Sequence, residues 1–249
     1  MQLTATRTSA WERESPTFVV AETEICPACN GSGWYALAVP PGNAAFGQPQ
    51  PCMCTLRRRA DRRAAQLALA SNLPALQRTS FATFHATSGT AQALHCARTF
   101  ASAPSGWLTL AGPYGTGKTH LAAAIANEAL TAQLAVLFVV VPDLLDQLRS
   151  SYDEPVARFS ERLAAVKQAE LLVLDDLGTE YLTSWAREKL YQIVNYRYNA
   201  QLPTVFTTNC ALDDLDGRIV SRMHDRGVGA QIVTLRARDY RRQRATEEQ

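Results

Sequence analysis

The sequence predicts an α/β protein in which a parallel sheet is flanked by helices and preceded by a small cysteine-rich module. From about Phe81 onward, short apolar runs alternate with helical stretches, as they do where crossover helices connect parallel strands. The apolar runs are continuous rather than alternating, which is typical of strands covered on both faces. Four of the six cysteines fall within residues 26–54, ahead of this pattern.

The composition limits the classes of protein to be considered. A chain of 249 residues can bury one sizeable core and carry a small additional unit. The longest apolar run, Leu134–Val141, is too short to span a membrane, and the first residues lack the apolar segment of a signal peptide. We therefore expect a cytoplasmic protein without membrane partners. Disulfides are disfavoured there, and clustered cysteines indicate a metal.

The first 80 residues are expected to lie outside the main domain. Residues 1–20 are polar and aperiodic, which predicts a disordered tail. Residues 21–80 contain the clustered cysteines and then a run without Gly or Pro from Thr55 to Asn72, which predicts a helix. Five arginines near its start could form a solvated face or contact nucleic acid or a partner. They are Arg57, Arg58, Arg59, Arg62 and Arg63.

Residues 81–249 form the predicted main domain, in which strands and helices alternate. The expected strands are Gly106–Leu110, Ala135–Val141, Leu171–Asp175, Thr204–Asn209 and Gln231–Leu235. The expected helices are Thr90–Ser102, Lys118–Leu130, the run "VPDLLDQLRSSY", Pro155–Gln168, Ser184–Asn199 and about Leu215–His224.

The segment "GPYGTGKT" fits the Gly-x4-Gly-Lys-Thr pattern of a phosphate-binding P-loop. Its glycines allow consecutive backbone N–H groups to face phosphate oxygens, and the helix that follows adds partial positive charge. We expect Lys118 to contact the β- and γ-phosphates of ATP and the Thr119 hydroxyl to bind Mg²⁺. His120 directly follows the loop and is included in the predicted nucleotide-binding set by its position, although its side chain is expected to be a bystander. The predicted nucleotide-binding set is Gly112, Pro113, Tyr114, Gly115, Thr116, Gly117, Lys118, Thr119 and His120.

Acidic and amide side chains follow the next predicted strands. Asp175 and Asp176 end the apolar run "LLVLDD", at the edge of the sheet where open α/β folds bind ligands. We expect Asp175 to hold Mg²⁺ through water and Asp176 to orient or deprotonate the attacking water. Asn209 could bind the γ-phosphate or that water, or it could be a capping or turn residue.

These motifs resemble the AAA+ ATPases of the DnaC/DnaI helicase-loader group, which is closely similar to the IstB transposition helpers. The resemblance covers about Phe81 to Arg242 and rests on "GPYGTGKTHLAAAIANEAL" together with "LLVLDDLGTEYLTSWAREKLYQIVNYRYNAQLPTVFTTN". It implies that the P-loop is Walker A, that the aspartates complete Walker B and that Asn209 is sensor 1. It also implies an arginine finger at Arg222, acting on a neighbouring subunit of a homo-oligomer, and a sensor 2 arginine at Arg241. Arg218, Arg226 and Arg238 lie close enough in the sequence to be alternatives for these two roles.

The chain departs from the AAA+ pattern in two places. Walker B ends in Asp-Asp instead of Asp-Glu, and we expect the shorter side chain to give slow, switch-like turnover. Only fourteen residues follow Leu235, so the C-terminal lid is expected to be minimal and sensor 2 to order only on assembly.

The cysteine spacing predicts a metal site. Cys26-x2-Cys29 and Cys52-x-Cys54 supply four thiolates, enough for a closed tetrahedral zinc site, with an iron–sulfur centre or a redox pair as alternatives. The run "CPACNGSG" also resembles a half-site of DnaJ-type zinc modules. Cys96 and Cys210 are expected to be buried, inert thiols.

Taken with the zinc module, the resemblance implies a helicase loader. Such a protein is an ATP switch that binds a replicative DNA helicase through its N-terminal module and delivers it to single-stranded DNA. The alternatives are a transposition helper that binds DNA and recruits a transposase, and a nucleotide-binding adaptor that never hydrolyses ATP. The zinc module favours the loader over the transposition helper.

Overall fold

A computed structural model describes residues 25–44, 46–58, 71–150, 156–178, 183–237 and 239–240 of the chain. These residues belong to two compact units, and the boundary between the units in the sequence lies between Arg59 and Ala60. The predicted tail at 1–20, most of the predicted basic helix (59–70) and Arg241 lie outside the described residues. No helix in the described ranges is long and apolar enough to cross a membrane.

The first unit is built on a short antiparallel hairpin. Strands β1 (Trp34–Ala36) and β2 (Pro49–Pro51) pair, and residues 53–58 are helical (α1). The turn before β1 is held against α1, because the Gly33 carbonyl accepts hydrogen bonds from the backbone N–H of Cys52 (2.9 Å) and from Thr55 Oγ1 (2.8 Å). A Cβ on Gly33 would lie 2.6 Å from Thr55 Oγ1, so this approach requires glycine.

The second unit contains a five-stranded parallel sheet in the order β4-β5-β6-β3-β7. Its strands are β3 (Trp107–Ala111), β4 (Val136–Val140), β5 (Leu171–Asp175), β6 (Thr204–Thr208) and β7 (Gln231–Thr234). Its helices are α2 (Ala91–Ser102), α3 (Lys118–Thr131), α4 (Val141–Ser150), α5 (Val156–Gln168), α6 (Ser184–Asn199) and α7 (Gly217–Met223). The predicted α/β fold is confirmed, and every predicted strand and helix of residues 81–235 is present.

Helices cover both faces of this sheet, and alternate residues of each strand point to opposite faces. In β5, Leu172 and Leu174 join the core beneath α4 to α7, whereas Leu171 and Val173 join the core beneath α2 and α3. Helix α3 is rich in buried alanine, which lets it lie close to the sheet. Because all strands are parallel, the P-loop after β3, the aspartates of β5 and Asn209 after β6 lie at the same edge.

Residues 71–80 belong to the second unit, whereas the sequence predicts a domain boundary after residue 80. The Asn72 backbone N–H donates to the Phe138 carbonyl at 2.8 Å, and Asn72 Oδ1 accepts from the Val140 N–H at 3.2 Å. Ser71 Oγ accepts from the Phe138 N–H at 3.1 Å. This segment covers the outer side of β4, an edge strand that would otherwise present unpaired backbone groups.

Arg197 of α6 is fully buried and joins a helix to two strands. Its guanidinium donates to the carbonyls of Lys167 (3.0 Å) and Ala169 (2.8 Å), at the end of α5 and just before β5. It also donates to the Pro203 carbonyl and to Thr204 Oγ1 (2.9 Å), at the start of β6. Burial lowers the pKa of Arg197 to about 9, so the group remains charged at neutral pH.

Replacing Arg197 with methionine is expected to destabilise the second unit by about 3–5 kcal/mol, because four buried acceptors would lose their donor. Chemical denaturation followed by far-UV circular dichroism measures the change in the free energy of unfolding. Arg187→Met, at an exposed position of the same helix, is the control and should change stability by less than about 0.5 kcal/mol. Equal effects of the two substitutions would contradict the structural role of Arg197.

Candidate nucleotide site and cysteine cluster

The P-loop connects β3 to α3 and depends on its glycines. Gly112, Gly115 and Gly117 have φ values of 147°, 72° and 93°, a region that favours glycine. A Cβ at Gly112 would lie 2.5 Å from the Leu235 carbonyl oxygen, and one at Gly117 would lie 2.6 Å from the Phe84 ring. The loop therefore requires glycine both for its backbone conformation and for the close approach of its neighbours.

Lys118 is held within this loop. Its side chain is buried, and Nζ donates to the Pro113 carbonyl at 2.8 Å. Thr116 Oγ1 donates to the same carbonyl at 2.9 Å. The ammonium group thus lies against the backbone that the sequence assigns to phosphate binding.

Thr119 and Asp175 meet at the carboxyl edge of the sheet. Thr119 Oγ1 lies 3.0 Å and 3.2 Å from the two carboxylate oxygens of Asp175, and Thr207 Oγ1 donates to Oδ1 at 2.6 Å. Burial raises the pKa of Asp175, and the hydrogen bonds from Thr207 and Thr119 only partly offset it. A hydroxyl beside a carboxylate is the kind of oxygen ligand set that suits Mg²⁺, so the predicted pair fits this ion.

Asp176 is separated from Asp175 by an unusual backbone conformation. Its φ is 57°, and its N–H donates to Thr207 Oγ1 at 2.9 Å. Asp175 is buried beneath Thr119, whereas Asp176 lines the open cleft described below. The two adjacent carboxylates therefore occupy different environments.

A cleft of about 360 Å³ opens over the P-loop. Phe84, His85 and Tyr240 form part of its wall, and none of them was predicted from the sequence. The Tyr240 N–H donates to the Gly115 carbonyl at 3.0 Å, and its ring stacks on His85 with centroids 5.5 Å apart. This size and this aromatic wall suit a planar base. The only sequence signal was the density of rings in "FATFH".

His120 contacts the same wall. Its Nε2 lies 2.9 Å from the Ser80 carbonyl oxygen and 3.3 Å from Thr83 Oγ1, and its ring meets Phe84 edge to face at 5.3 Å. The side chain predicted to be a bystander therefore joins the start of α3 to the segment that lines the cleft.

Asn209 follows β6 and carries an amide nitrogen without a partner among the described residues. Its Nδ2 is buried and forms no hydrogen bond with any described residue, while Oδ1 lies 3.4 Å from the Cys210 thiol. A buried donor without an acceptor costs free energy unless a ligand or water supplies one. This geometry favours the ligand-binding interpretation of Asn209 over a capping role.

Arg222 lies on α7 and is not brought to the P-loop of its own chain. Its Nη2 donates to Asn195 Oδ1 at 2.7 Å and to the Tyr191 hydroxyl at 3.1 Å. Its guanidinium also lies 5.1 Å from the ring centroid of Tyr198, which contacts Trp107 edge to face. Trp107 is the first residue of β3, whereas the P-loop follows the last residue of that strand. Arg222 therefore lies towards the amino-terminal ends of the strands, and the P-loop lies at their carboxyl ends.

Two other arginines bear on these assignments: Arg218 of the same helix, and Arg241, the predicted sensor 2 residue. Arg218, one turn before Arg222, is bound by the Asp216 carboxylate through Nε (3.1 Å) and Nη2 (2.9 Å), which lowers the pKa of Asp216. Arg241 lies outside the described residues, directly after Tyr240.

The four clustered cysteines lie together in the first unit. Their sulfur atoms are all within 4.8 Å of one another, with Cys26 and Cys52 at 3.8 Å and Cys29 and Cys54 at 3.4 Å. Sulfurs bound tetrahedrally to zinc at about 2.3 Å would be separated by about 3.8 Å, so the four thiols fit one metal ion. The cluster could therefore bind a metal.

The environment of Cys29 favours its thiolate. Burial raises the pKa of this thiol, but the Gly33 N–H (3.3 Å) and the neighbouring thiols outweigh it and bring the pKa to about 6. The hydrogen bond to Cys29, together with burial, raises the pKa of Cys54 to about 11. Cys96 and Cys210 are half-buried, so the prediction that they are buried was wrong.

Comparison with known proteins identifies the family. A family model described as IstB-like ATP binding protein matches residues 54–247. The chain belongs to this family. The ATP-binding prediction is thereby confirmed at the level of the family.

Two relatives of the chain are named as replicative helicase loaders. The chain is 38% identical over 109 residues to DnaI of Bacillus subtilis, covering 43% of this chain and 34% of that protein. It is 30% identical over 115 residues to DnaC of Escherichia coli, covering 46% and 47%. The chain therefore matches about half of these relatives' length or less.

The chain is also similar to a solved structure of DnaI and to a protein of an insertion sequence. A crystal structure of DnaI superposes with a TM-score of 0.57 at 30% identity, covering 66% of this chain and 94% of that one, which confirms the predicted AAA+ fold. A putative ATP-binding protein of insertion sequence IS5376 from Geobacillus stearothermophilus is 29% identical over 136 residues, covering 52% of this chain and 53% of that protein.

The purified protein is expected to contain about one metal ion per chain, bound by the four clustered cysteines. Elemental analysis should find the metal lost in a Cys29→Ser, Cys52→Ser double variant and retained in a Cys96→Ser, Cys210→Ser control. Chelation should unfold the first unit and leave nucleotide binding intact, because metal binding supplies folding free energy on the order of 10 kcal/mol. Equal metal content in both double variants would exclude the site.

Asn209→Ala is expected to lower the rate of ATP hydrolysis about a hundredfold while changing nucleotide affinity little, because its unpartnered amide would act only on the reacting groups. Steady-state kinetics and nucleotide titration measure the two effects. Asn199→Ala, at the exposed end of α6, is the control. An unchanged rate would favour the capping interpretation of Asn209.

Proposed function

We propose that the chain is an ATP-hydrolysing switch that binds a replicative DNA helicase and loads it onto single-stranded DNA. The observation that carries this proposal is its similarity to two proteins named as replicative helicase loaders, DnaI and DnaC. The arrangement of the nucleotide site supports the ATPase part of the proposal, and the cysteine unit supports the partner-binding part.

The P-loop and its surroundings would bind the nucleotide. The loop N–H groups and Lys118 surround the β- and γ-phosphates, and the aromatic wall of Phe84, His85 and Tyr240 contacts the base. Thr119 and Asp175 are the residues that would hold Mg²⁺. When bound, this ion supplies positive charge to the phosphate oxygens.

Asp176 and Asn209 would carry the hydrolysis step. Asp176 lines the cleft and can orient a water molecule towards the γ-phosphate, while the unpartnered amide of Asn209 can donate to that water or to a phosphate oxygen. An adaptor that only binds ATP needs neither group, which disfavours a non-hydrolysing function. The aspartate at position 176 is shorter than the glutamate usual in AAA+ enzymes, and slow turnover is the expected result.

Arg222 would act on the nucleotide of a neighbouring copy. It lies towards the start of β3, away from its own P-loop, and its charge can stabilise the transition state only at another subunit's site. The proposal therefore includes a homo-oligomer in which each site is completed in trans. Arg241 is proposed as the sensor 2 residue.

The first unit is proposed as the helicase-docking module, with zinc as its structural metal. Of the range 21–80 predicted for this module, residues 71–80 belong to the second unit. Several large apolar side chains are exposed on this unit, including Ile25 (69%), Phe46 (54%) and Met53 (67%). Exposed apolar groups on a small, metal-stabilised unit are typical of a protein-binding surface.

A transposition helper is the second candidate function. The matching family model carries the IstB name, and the IS5376 protein matches a larger share of this chain than either loader does. In this alternative the same ATPase binds DNA and recruits a transposase.

Affinity capture with the full-length protein is expected to retain a replicative helicase in an ATP-dependent manner and to release it on single-stranded DNA. The Cys29→Ser, Cys52→Ser variant should lose the helicase and keep ATP binding. Lys118→Ala should lose ATP binding itself. Capture of a transposase and not of a helicase, in parallel assays, would replace the loader proposal with the transposition helper.

A further inference from the structure

The guanidinium of Arg222 is held by groups from the neighbouring helix α6 and from its own helix α7. Asn195 Oδ1 and the Tyr191 hydroxyl both accept from Nη2, at 2.7 Å and 3.1 Å, and the Arg218 carbonyl accepts from Nη1 at 2.7 Å. The rings of Tyr191 and Tyr198 each lie 5.1 Å from its central carbon. These contacts fix both the position and the plane of the guanidinium.

All of these groups are electrically neutral. No carboxylate among the described residues lies within ion-pair distance of Arg222, whereas Arg218 on the same helix is bound by Asp216. Arg222 is therefore oriented without being neutralised. A carboxylate partner would stabilise a purely structural arginine more strongly than neutral acceptors do. An arginine that attracts phosphate, in contrast, acts best when no carboxylate already offsets its positive charge.

The guanidinium also has N–H groups that the contacts above do not use. Its Nε is buried and, within the described ranges, has no hydrogen-bond partner. Three of its five N–H groups are used by the contacts above and Nε–H is buried, so one Nη1–H remains available to an incoming acceptor.

The helix that holds Arg222 is itself anchored. Arg197 ties the last turns of α6 to β5 and β6, and the Tyr198 hydroxyl donates to the Asp225 carboxylate just after α7. Tyr191 and Asn195 lie one turn apart on α6, and the Tyr191 hydroxyl is 3.5 Å from Asn195 Oδ1. The acceptors that face Arg222 thus belong to an anchored element, as accurate positioning requires.

We propose that Tyr191 and Asn195 are positioning residues that hold the Arg222 guanidinium in the orientation from which it reaches the nucleotide phosphates of a second copy of this chain. The proposal rests on the proposed function, because it takes Arg222 to act in trans. Neither residue touches the nucleotide; both act through the guanidinium.

Steady-state ATP hydrolysis by the full-length protein tests the proposal. Asn195→Ala and Tyr191→Phe are expected to lower kcat about tenfold with KM and nucleotide affinity unchanged, because only the placement of a transition-state group is lost. Tyr196→Phe removes an exposed hydroxyl from the same helix and should leave kcat unchanged. Arg222→Ala sets the full effect of losing the arginine, and Arg218→Ala is its matched control.

A subunit-mixing experiment separates positioning from a general effect on folding. Asp176→Asn subunits bind nucleotide but are expected not to hydrolyse it, and they retain Arg222 with both acceptors. Mixed with Asn195→Ala subunits, they should restore hydrolysis above the sum of the separate samples, because an intact arginine then faces an intact site. The same mixture prepared with an Asp176→Asn, Arg222→Ala double variant should give no restoration.

The outcomes distinguish this inference from the function on which it rests. If Arg222→Ala keeps full activity, the arginine does not act in trans, and both the positioning role and the part of the proposed function in which sites are completed in trans are refuted. If Arg222→Ala is inactive while Asn195→Ala and Tyr191→Phe keep the wild-type kcat, only the positioning role is refuted. Loss of nucleotide affinity in Asn195→Ala, or no restoration on mixing, would equally overturn it.

Discussion

The buried carboxylate of Asp175 is the contact on which the nucleotide site depends. It accepts hydrogen bonds from Thr119 at the start of α3 and from Thr207 in β6, and it ends β5. Three separate elements are thereby held at one edge of the sheet. Thr207 also accepts from the Asp176 N–H, so the same hydroxyl fixes the turn that directs the second carboxylate into the cleft. The positions of Thr119, Asp175 and Asp176 therefore all depend on this one group of hydrogen bonds.

Much of this centre could be predicted from the sequence, because its parts are contiguous. The P-loop pattern and the run "LLVLDD" each carry their own local signal, and parallel strands bring their carboxyl ends together. The aromatic wall was not predictable in this way. Phe84 and Tyr240 are more than 150 residues apart, and each is brought to the cleft by contacts with the P-loop, which only tertiary structure reveals. Strands β1 and β2 are three residues each, and β2 contains two prolines, so neither carries a periodic pattern.

The choice between neighbouring arginines shows a second limit of sequence reasoning. Arg218 and Arg222 are one turn apart on the same helix, and both lie against the ring of Tyr191. Their difference comes from their partners, a carboxylate for Arg218 and neutral acceptors for Arg222. Spacing along the chain could not show this, because Asn195 and Tyr191 belong to a helix that precedes α7 by about twenty residues. The family resemblance indicates Arg222. The neutral partners of Arg222, compared with the carboxylate bound to Arg218, support that choice on physical grounds.

The separation of Arg222 from its own P-loop has a consequence for symmetry. If Arg222 acts in trans as proposed and the contact is not returned across the same interface, the contact is heterologous, and copies added in this way form a closed ring or an open helix. In an open assembly, the terminal subunit at one end would lack a neighbour to complete its site. Such an assembly would always contain one fewer competent site than subunits, and only ring closure would remove the difference.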